Sequence, residues 1–294
     1  MKNVLINLLS NSLGDTIASV PYVDEYRKRE DVNIYFSISD LYINLLSKSY
    51  ENINFIGRNF NNVFDLKIDI DYKFTENIQL GYAKQLGFEN PKFIKPKLVI
   101  NPTDKKIKNK YVCLSVHSTS QLKYWNHPLG RKVQPLQPYW TELSGMLRKR
   151  NLTPVVVEKN ESFGLPPFFN GIPSKTNKKI GLEFDEILNL IYHCEFFIGL
   201  SSGLAWIAHA LGKKVVLISN FTEDWNEFDL NDDNYIRIVN KNVCHGCFNK
   251  VNINYNFDSN DWYWCPLHKD TPREFECHKS ITPDMVMNSI EKWL

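Results

Sequence analysis

The sequence predicts an α/β protein made of two Rossmann-like halves that face each other across a cleft, followed by an irregular cysteine-bearing segment. Three observations carry this expectation. Short apolar runs alternate with helical patterns from Val4 onward, the rhythm that builds parallel sheets. The rhythm stops in a stretch rich in Pro and Lys, 92–110, and restarts at Tyr111. Four of the six cysteines then fall within the 34 residues 244–277, where the rhythm fails again.

In chain order, Val4–Asn7 reads as a first buried strand, and a loop, 10–15, follows it. Thr16–Arg29 carries Ile17, Val20, Val23 and Tyr26 at helical spacing. Asn33–Ser39 reads as a strand, Leu41–Lys48 as a helix and Ile53–Ile56 as a strand. Alternation over 65–71 and a helix over Ile78–Leu86 complete the first half. The second half reads as strands at Tyr111–Val116, Pro154–Glu158, Phe196–Leu200 and Lys214–Ser219. Helices at Trp140–Lys149, Phe184–Cys194 and Ala205–Leu211 separate them. A last helix over 282–294 starts from Thr282 as N-cap with Pro283 at its first position. The domain boundary is placed at 105/106, giving an N-terminal domain 1–105 and a C-terminal domain 106–294 that includes the segment 244–277.

The chain has 294 residues, 43% of them hydrophobic, which suffices for two cores of ordinary size. Its 35 basic and 33 acidic residues leave a net charge of +2, which gives no global pull toward nucleic acid or membrane. No apolar run reaches the length of a membrane span, and the N-terminus lacks a signal-peptide pattern. The expectation is a cytoplasmic protein. Cys113 and Cys194 sit in apolar runs and read as small buried hydrophobes.

In open parallel sheets, ligands bind beyond the carboxyl ends of strands, so the loops there are the candidate sites. Ser12-Leu-Gly-Asp15 follows the first strand. Asp15 reads either as a helix N-cap or as a general base aimed into the cleft. His117-Ser-Thr-Ser-Gln-Leu-Lys123 follows the strand at 111–116, and its hydroxyls and Lys123 suit a phosphate. Phe197-Ile-Gly-Leu-Ser201-Ser202-Gly203-Leu204 runs from a strand into a helix start, where backbone N–H groups form an anion site. The letters Gly199-Leu-Ser201-Ser-Gly203 also match a hydrolase nucleophile elbow, with Asp224 and His268 as later partners.

The four cysteines are spaced C-x2-C-x17-C-x11-C at Cys244, Cys247, Cys265 and Cys277. Four thiolates so spaced favour a closed tetrahedral site for zinc or a single iron, and the alternative is two disulfides. His245, His268 and His278 stand beside them as substitute ligands. A site with no open position is structural, ordering a segment with little core of its own. The aromatics Trp262, Tyr263 and Trp264 precede the third cysteine. Lys250, Lys269, Arg273 and Lys279 are diluted by Asp258, Asp261, Asp270, Glu274 and Glu276, which argues against a nucleic-acid finger.

Taken together, Ser118-Thr-Ser-Gln-Leu-Lys123-Tyr-Trp-Asn126, Phe197–Trp206, Ile218-Ser-Asn-Phe-Thr222 and the four cysteines resemble the bacterial autotransporter heptosyltransferases. These belong with the wider lipopolysaccharide-heptosyltransferase-like glycosyltransferases. The resemblance is dense over 111–294; before that it rests on Ser12-Leu-Gly-Asp15 and Pro21. It implies a GT-B fold with the sugar nucleotide held mainly by the C-terminal domain. It implies transfer of heptose from ADP-heptose to Ser/Thr hydroxyls of a surface protein, iron on the four cysteines, and assembly into a homo-oligomer. By position it implies Asp15 as catalytic base and Lys123 as a diphosphate contact. Ser201, Ser202, Gly203 and Leu204 become the donor-phosphate loop, Thr222 and Trp225 lie near the donor, and Cys244, Cys247, Cys265 and Cys277 bind the metal. The family also carries a further N-terminal region ahead of the opening motif, which this sequence does not hold. The competing expectation is a non-catalytic scaffold of the same fold that assembles through its metal finger.

Overall fold

The computed structural model describes residues 1–60, 62–118, 125, 138–165, 168–219, 221–258, 260–261 and 264–294. Two parallel sheets organise it. The first has four strands, β1 (Asn3–Leu8), β2 (Asn33–Ser37), β3 (Asn54–Ile56) and β4 (Leu66–Ile70), in the order β3-β2-β1-β4. Helix α1 (Leu13–Glu30) connects β1 to β2, α2 (Asp40–Ser47) connects β2 to β3, and α3 (Ile78–Gln85) follows β4. Along β1 the residues Val4, Ile6 and Leu8 are buried and their neighbours are partly exposed, the period-2 pattern of a strand covered more fully on one face. Residues 89–110 contain neither helix nor strand, as their Pro and Lys content predicts.

The second sheet has six strands, all parallel. They are β5 (Tyr111–Ser115), β6 (Thr153–Glu158), β9 (Asn177–Ile180), β10 (Phe196–Gly199), β11 (Lys214–Ile218) and β12 (Tyr235–Ile238). The order is β12-β11-β10-β5-β6-β9, so the winding reverses between β5 and β10. That reversal is the position at which open α/β sheets leave a crevice. An antiparallel hairpin, β7 (Ser162–Leu165) with β8 (Phe168–Gly171), leaves the sheet after β6. Helices α4 (Pro138–Lys149), α5 (Phe184–His193) and α6 (Gly203–Ala210) alternate with the strands, and the short α7 (Glu276–Lys279) and α8 (Pro283–Ile290) close the chain.

One hydrophobic core runs without a break from Val4 and Ile6 of β1 through Trp206 of α6 to Phe228 and Tyr235. A second lies under α4 and α8, around Trp140, Leu143 and Val286. A small third cluster, Phe221, Val251, Trp264 and Phe275, surrounds the cysteines.

Four local expectations change. Helix α1 begins at Leu13, not Thr16, because Ser12 is its N-cap: the Ser12 hydroxyl accepts from the Asp15 N–H at 3.2 Å. Asp15 is therefore a first-turn residue and not the cap. Strands β9 and β12 and the β7–β8 hairpin were not anticipated: Asn177–Ile180 has a single apolar residue, and Tyr235–Ile238 is a short run interrupted by Arg237. The last helix stops at Ile290 and continues as a tighter turn over Glu291–Trp293. Thr282 caps it as expected, accepting from the Met285 N–H at 3.3 Å.

Candidate active site

The loops beyond the carboxyl ends of β1, β4, β10 and β11 meet around a pocket of about 230 Å³. Ser12 and Asp15 come from the first loop, Tyr72 from the second, Ser201 and Ser202 from the third and Thr222 from the fourth. The amino ends of α1 and α6 adjoin there through two glycines. A Cβ on Gly14 would lie 3.0 Å from Trp206 Cδ1, and one on Gly203 would lie 2.9 Å from Leu13 Cβ. Only glycine lets the two helix starts approach so closely. Both present backbone N–H groups and partial positive charge to the same space.

Asp15 is half-buried and its carboxylate accepts a short hydrogen bond from the Ser10 hydroxyl. Its charge is felt by two phenols. Burial first, and then Asp15, hold Tyr82 well above the ordinary phenol range. Burial, then Glu227 and Asp15, do the same to Tyr72.

The loop after β10 divides its work. Ser201 is buried, and its hydroxyl donates to Glu227 Oε1 at 2.7 Å. The other Glu227 oxygen accepts from Arg237 Nη1 at 2.9 Å. Arg237 also donates to the Thr222 hydroxyl, and both charged side chains are 2% exposed. A hydroxyl committed to a carboxylate that also carries an arginine is not a hydrolase nucleophile. The other expected partners are engaged elsewhere, Asp224 with Lys241 and His268 with Glu276. Ser202 is the N-cap of α6 but makes no capping bond, and its buried hydroxyl has no partner among the described residues.

The loop after β5 begins on a buried carboxylate. Glu158 Oε1 accepts from Val116 N at 2.6 Å, His117 N at 2.8 Å and the Ser115 hydroxyl at 3.1 Å. Burial pushes Glu158 up to about 7, with those hydrogen bonds opposing. Ser118 then donates to the Ser201 carbonyl at 3.4 Å, tying this loop to the one after β10. Lys123 lies outside the described residues, as do Trp262 and Tyr263.

Of the remaining expected site residues, Leu204 packs against the main core, and Trp225 presents its carbonyl to Asn77 Nδ2 at 2.7 Å. Neither is among the residues that line the pocket. Sequence reasoning missed Tyr72, Asn226, Glu227 and Phe248, which line it, and Arg237 behind it. One cue was available, an arginine between two isoleucines in Tyr235-Ile-Arg-Ile238.

All four cysteines of 244–277 line a single small void of about 20 Å³, and none is in a disulfide. Among the described residues no three His, Cys, Asp or Glu side chains form a ready-made ligand set for a metal. The thiols do share one electrostatic environment. Burial, followed by Cys244 and Cys265, pushes Cys247 up to about 12, and burial with the other three thiols raises Cys277. Cys113 and Cys194 are buried in the core, as expected.

No family model matches the chain. It is 33% identical over 311 residues to the autotransporter heptosyltransferase Aah of Escherichia coli, covering 98% of this chain and 73% of Aah. The iron-containing dodecameric glycosyltransferase TibC of enterotoxigenic E. coli superposes with a TM-score of 0.87 at 28% identity, over 99% of this chain and 76% of TibC. TibC has also been solved in complex with ADP-D-β-D-heptose. An inactive relative, BimC of Burkholderia thailandensis, is 24% identical over 315 residues, 98% of this chain and 68% of BimC. Identity at the level of Aah over nearly the whole chain, on the architecture of TibC, places the protein in the autotransporter heptosyltransferase family, and so among the glycosyltransferases.

Proposed function

We propose that the protein transfers a heptose from ADP-heptose to an acceptor hydroxyl, with inversion at the sugar carbon, and that Asp15 is the general base. The observation that carries this reading is the meeting of the starts of α1 and α6 at one pocket that Ser202, Gly203 and Asp15 line. Converging N–H groups suit a diphosphate, the Ser202 hydroxyl has no partner among the described residues, and Asp15 lines the same pocket. TibC's complex with ADP-heptose points to the same donor.

In this scheme Ser202, Gly203 and the first N–H groups of α6 hold the donor phosphates, and Lys123 balances their charge. Thr222 borders the same space, and Leu204 and Trp225 support the loops from behind. Asp15 takes the proton from the acceptor oxygen as that oxygen attacks the sugar carbon. The bond from the sugar to phosphate breaks and ADP leaves with the electron pair. Preorganised donors at the leaving group lower the barrier because negative charge grows there. The two sheets correspond to a sugar-acceptor domain, 1–105, and a nucleotide domain, 106–294. The acceptor is a Ser or Thr of a protein, a reading supported by the relatives' name.

Cys244, Cys247, Cys265 and Cys277 are proposed to hold one structural iron, with zinc as the chemically equivalent occupant. The donor chemistry suits such an ion, since four thiols outside any disulfide line one small void, although the described side chains are not drawn together as a ligand set. Each thiolate destabilises the others until a cation joins them. The reduced thiols, together with the absence of any described helix long and apolar enough to cross a membrane, agree with a cytoplasmic site of action. TibC's dodecamer supports assembly of this chain into a homo-oligomer.

The test is Asp15→Asn in cells that make ADP-heptose and express an autotransporter passenger. Intact mass should show heptose on the passenger with the native protein and none with the variant, while calorimetric ADP affinity stays within about threefold. General-base removal costs about 10² to 10⁴ in rate. Equal loss of binding and transfer would count against the base role. Because BimC is inactive, turnover and not binding alone is the deciding readout.

A further inference from the structure

The cysteine segment reaches the pocket directly. The turn Cys247–Lys250 begins on a cysteine and carries Phe248 and Asn249. Phe248 lines the pocket and packs on four rings: stacked on Tyr72 at 6.0 Å, edge-on to Phe74 at 4.9 Å and to Phe257 at 5.3 Å, and tilted to Phe221 at 4.6 Å. Asn249 is 5% exposed and uses both ends of its amide. Its oxygen accepts from the Glu223 N–H at 2.8 Å, inside its own half of the molecule. Its nitrogen donates to the Phe74 carbonyl at 2.6 Å and to Asn226 Oδ1 at 2.7 Å. Asn226 Oδ1 in turn accepts from the Tyr72 hydroxyl at 3.0 Å.

Tyr72 and Phe74 belong to the loop between β4 and α3 of the first sheet's half. Asn226 and Asn249 belong to the other half. With Asn77 donating to the Trp225 carbonyl at 2.7 Å, three neighbouring positions of that loop are bonded across the cleft. The side chains of Asn77, Asn226 and Asn249 are buried, so breaking these bonds leaves their amides poorly satisfied.

We infer that Asn249 and Phe248 are positioning residues through which the cysteine site holds the loop 72–77 as a wall of the pocket. The cysteine site thereby sets how the two halves meet at the reaction centre. A loosened Cys247–Lys250 turn releases the bonds to Phe74 and Asn226 and the ring contact with Tyr72, and opens one side of the cleft. For its dependence on metal, the inference rests on the four-thiol reading above. The hydrogen-bond geometry stands without it.

The experiment is hydrogen exchange followed by mass spectrometry on the full chain, with metal content measured on each sample. Asn249→Asp keeps the acceptor for the Glu223 N–H and loses the amide donor that bonds the Phe74 carbonyl across the cleft and Asn226 beside it. It is expected to raise exchange of peptides within 71–80 at least tenfold, with metal content and the exchange of 264–280 unchanged. Chelation, or Cys265→Ser, is expected to raise exchange in 71–80 to the same extent, as well as in 244–280. If Asn249→Asp behaves as the native protein in 71–80, the clamp is overturned. If metal loss loosens 244–280 and leaves 71–80 protected, the coupling is overturned. A preparation that holds no metal would contradict the four-thiol reading, and the Asn249→Asp comparison would still decide the clamp.

Discussion

Ser201 gives its hydroxyl to Glu227 at 2.7 Å, while the next residue, Ser202, keeps its hydroxyl without a partner among the described residues. Two adjacent serines at one helix start therefore have different chemistry. Both line the pocket, but the first is tied to a carboxylate and the second has no such tie among the described residues. Calorimetry should separate them. Ser202→Ala is expected to weaken ADP binding by about tenfold or more, the worth of a hydrogen bond to a charged group. Ser201→Ala is expected to change it by less than about threefold.

Glu227 and Arg237 form an ion pair 2% exposed on each side, in contact with Ser201 and Thr222. Removing one partner leaves a buried charge uncompensated, a loss of about 3–5 kcal/mol. Urea unfolding of Glu227→Ala should show a loss of that size. The double variant Glu227→Ala, Arg237→Ala should lose less than the sum of the two singles, because the second change removes the stranded charge.

Most of the α/β rhythm and two of the three candidate loops, those at 12–15 and 197–204, could be read from the sequence, because buried parallel strands are apolar and helix starts carry small polar residues. Asp15 and Ser202 were found that way, Thr222 came from the family resemblance, and the structure brings all three to one pocket. Tyr72, Asn226 and Asn249 could not be found. They are ordinary polar residues whose meaning lies in contacts across 154 and 175 positions of chain. Glu227 and Arg237 sit ten residues apart with no spacing rule to pair them, so their burial was not legible, although the isoleucines flanking Arg237 hinted at β12. The four cysteines announced a common site by spacing alone. That their turn also forms part of the pocket depends on Phe248 and Asn249, which no spacing rule marks.

Gly203 admits Leu13 so closely that an added Cβ would stand 2.9 Å from its Cβ. Gly203→Ala must push α1 and α6 apart at the point where both face the pocket. Overpacking of this kind costs about 1–3 kcal/mol. Thermal melting should register that loss, and ADP affinity should fall by tenfold or more because the N–H groups of the two helices no longer converge.

Glu158 imposes a pH dependence on stability. Its folded pKa is raised to about 7, mainly by burial, from 4.5. Between those values the folded protein binds more protons than the unfolded chain, so stability falls as pH rises through the window. The slope for one group approaches about 1.4 kcal/mol per pH unit. Glu158→Gln retains an oxygen for Val116 N and His117 N and cannot ionise. It is expected to melt near the native protein at pH 4.5 and several degrees above it at pH 8. Parallel curves across that range would contradict the assignment.

The donor is the centre of the account, and one titration tests it most directly. Purified protein should be titrated by calorimetry with ADP-heptose, ADP, UDP and GDP under the same conditions. The account expects clear binding of ADP-heptose and ADP, both weakened by Ser202→Ala, with UDP and GDP at least tenfold weaker. Preference for another nucleotide, or no binding to any of the four, would contradict it.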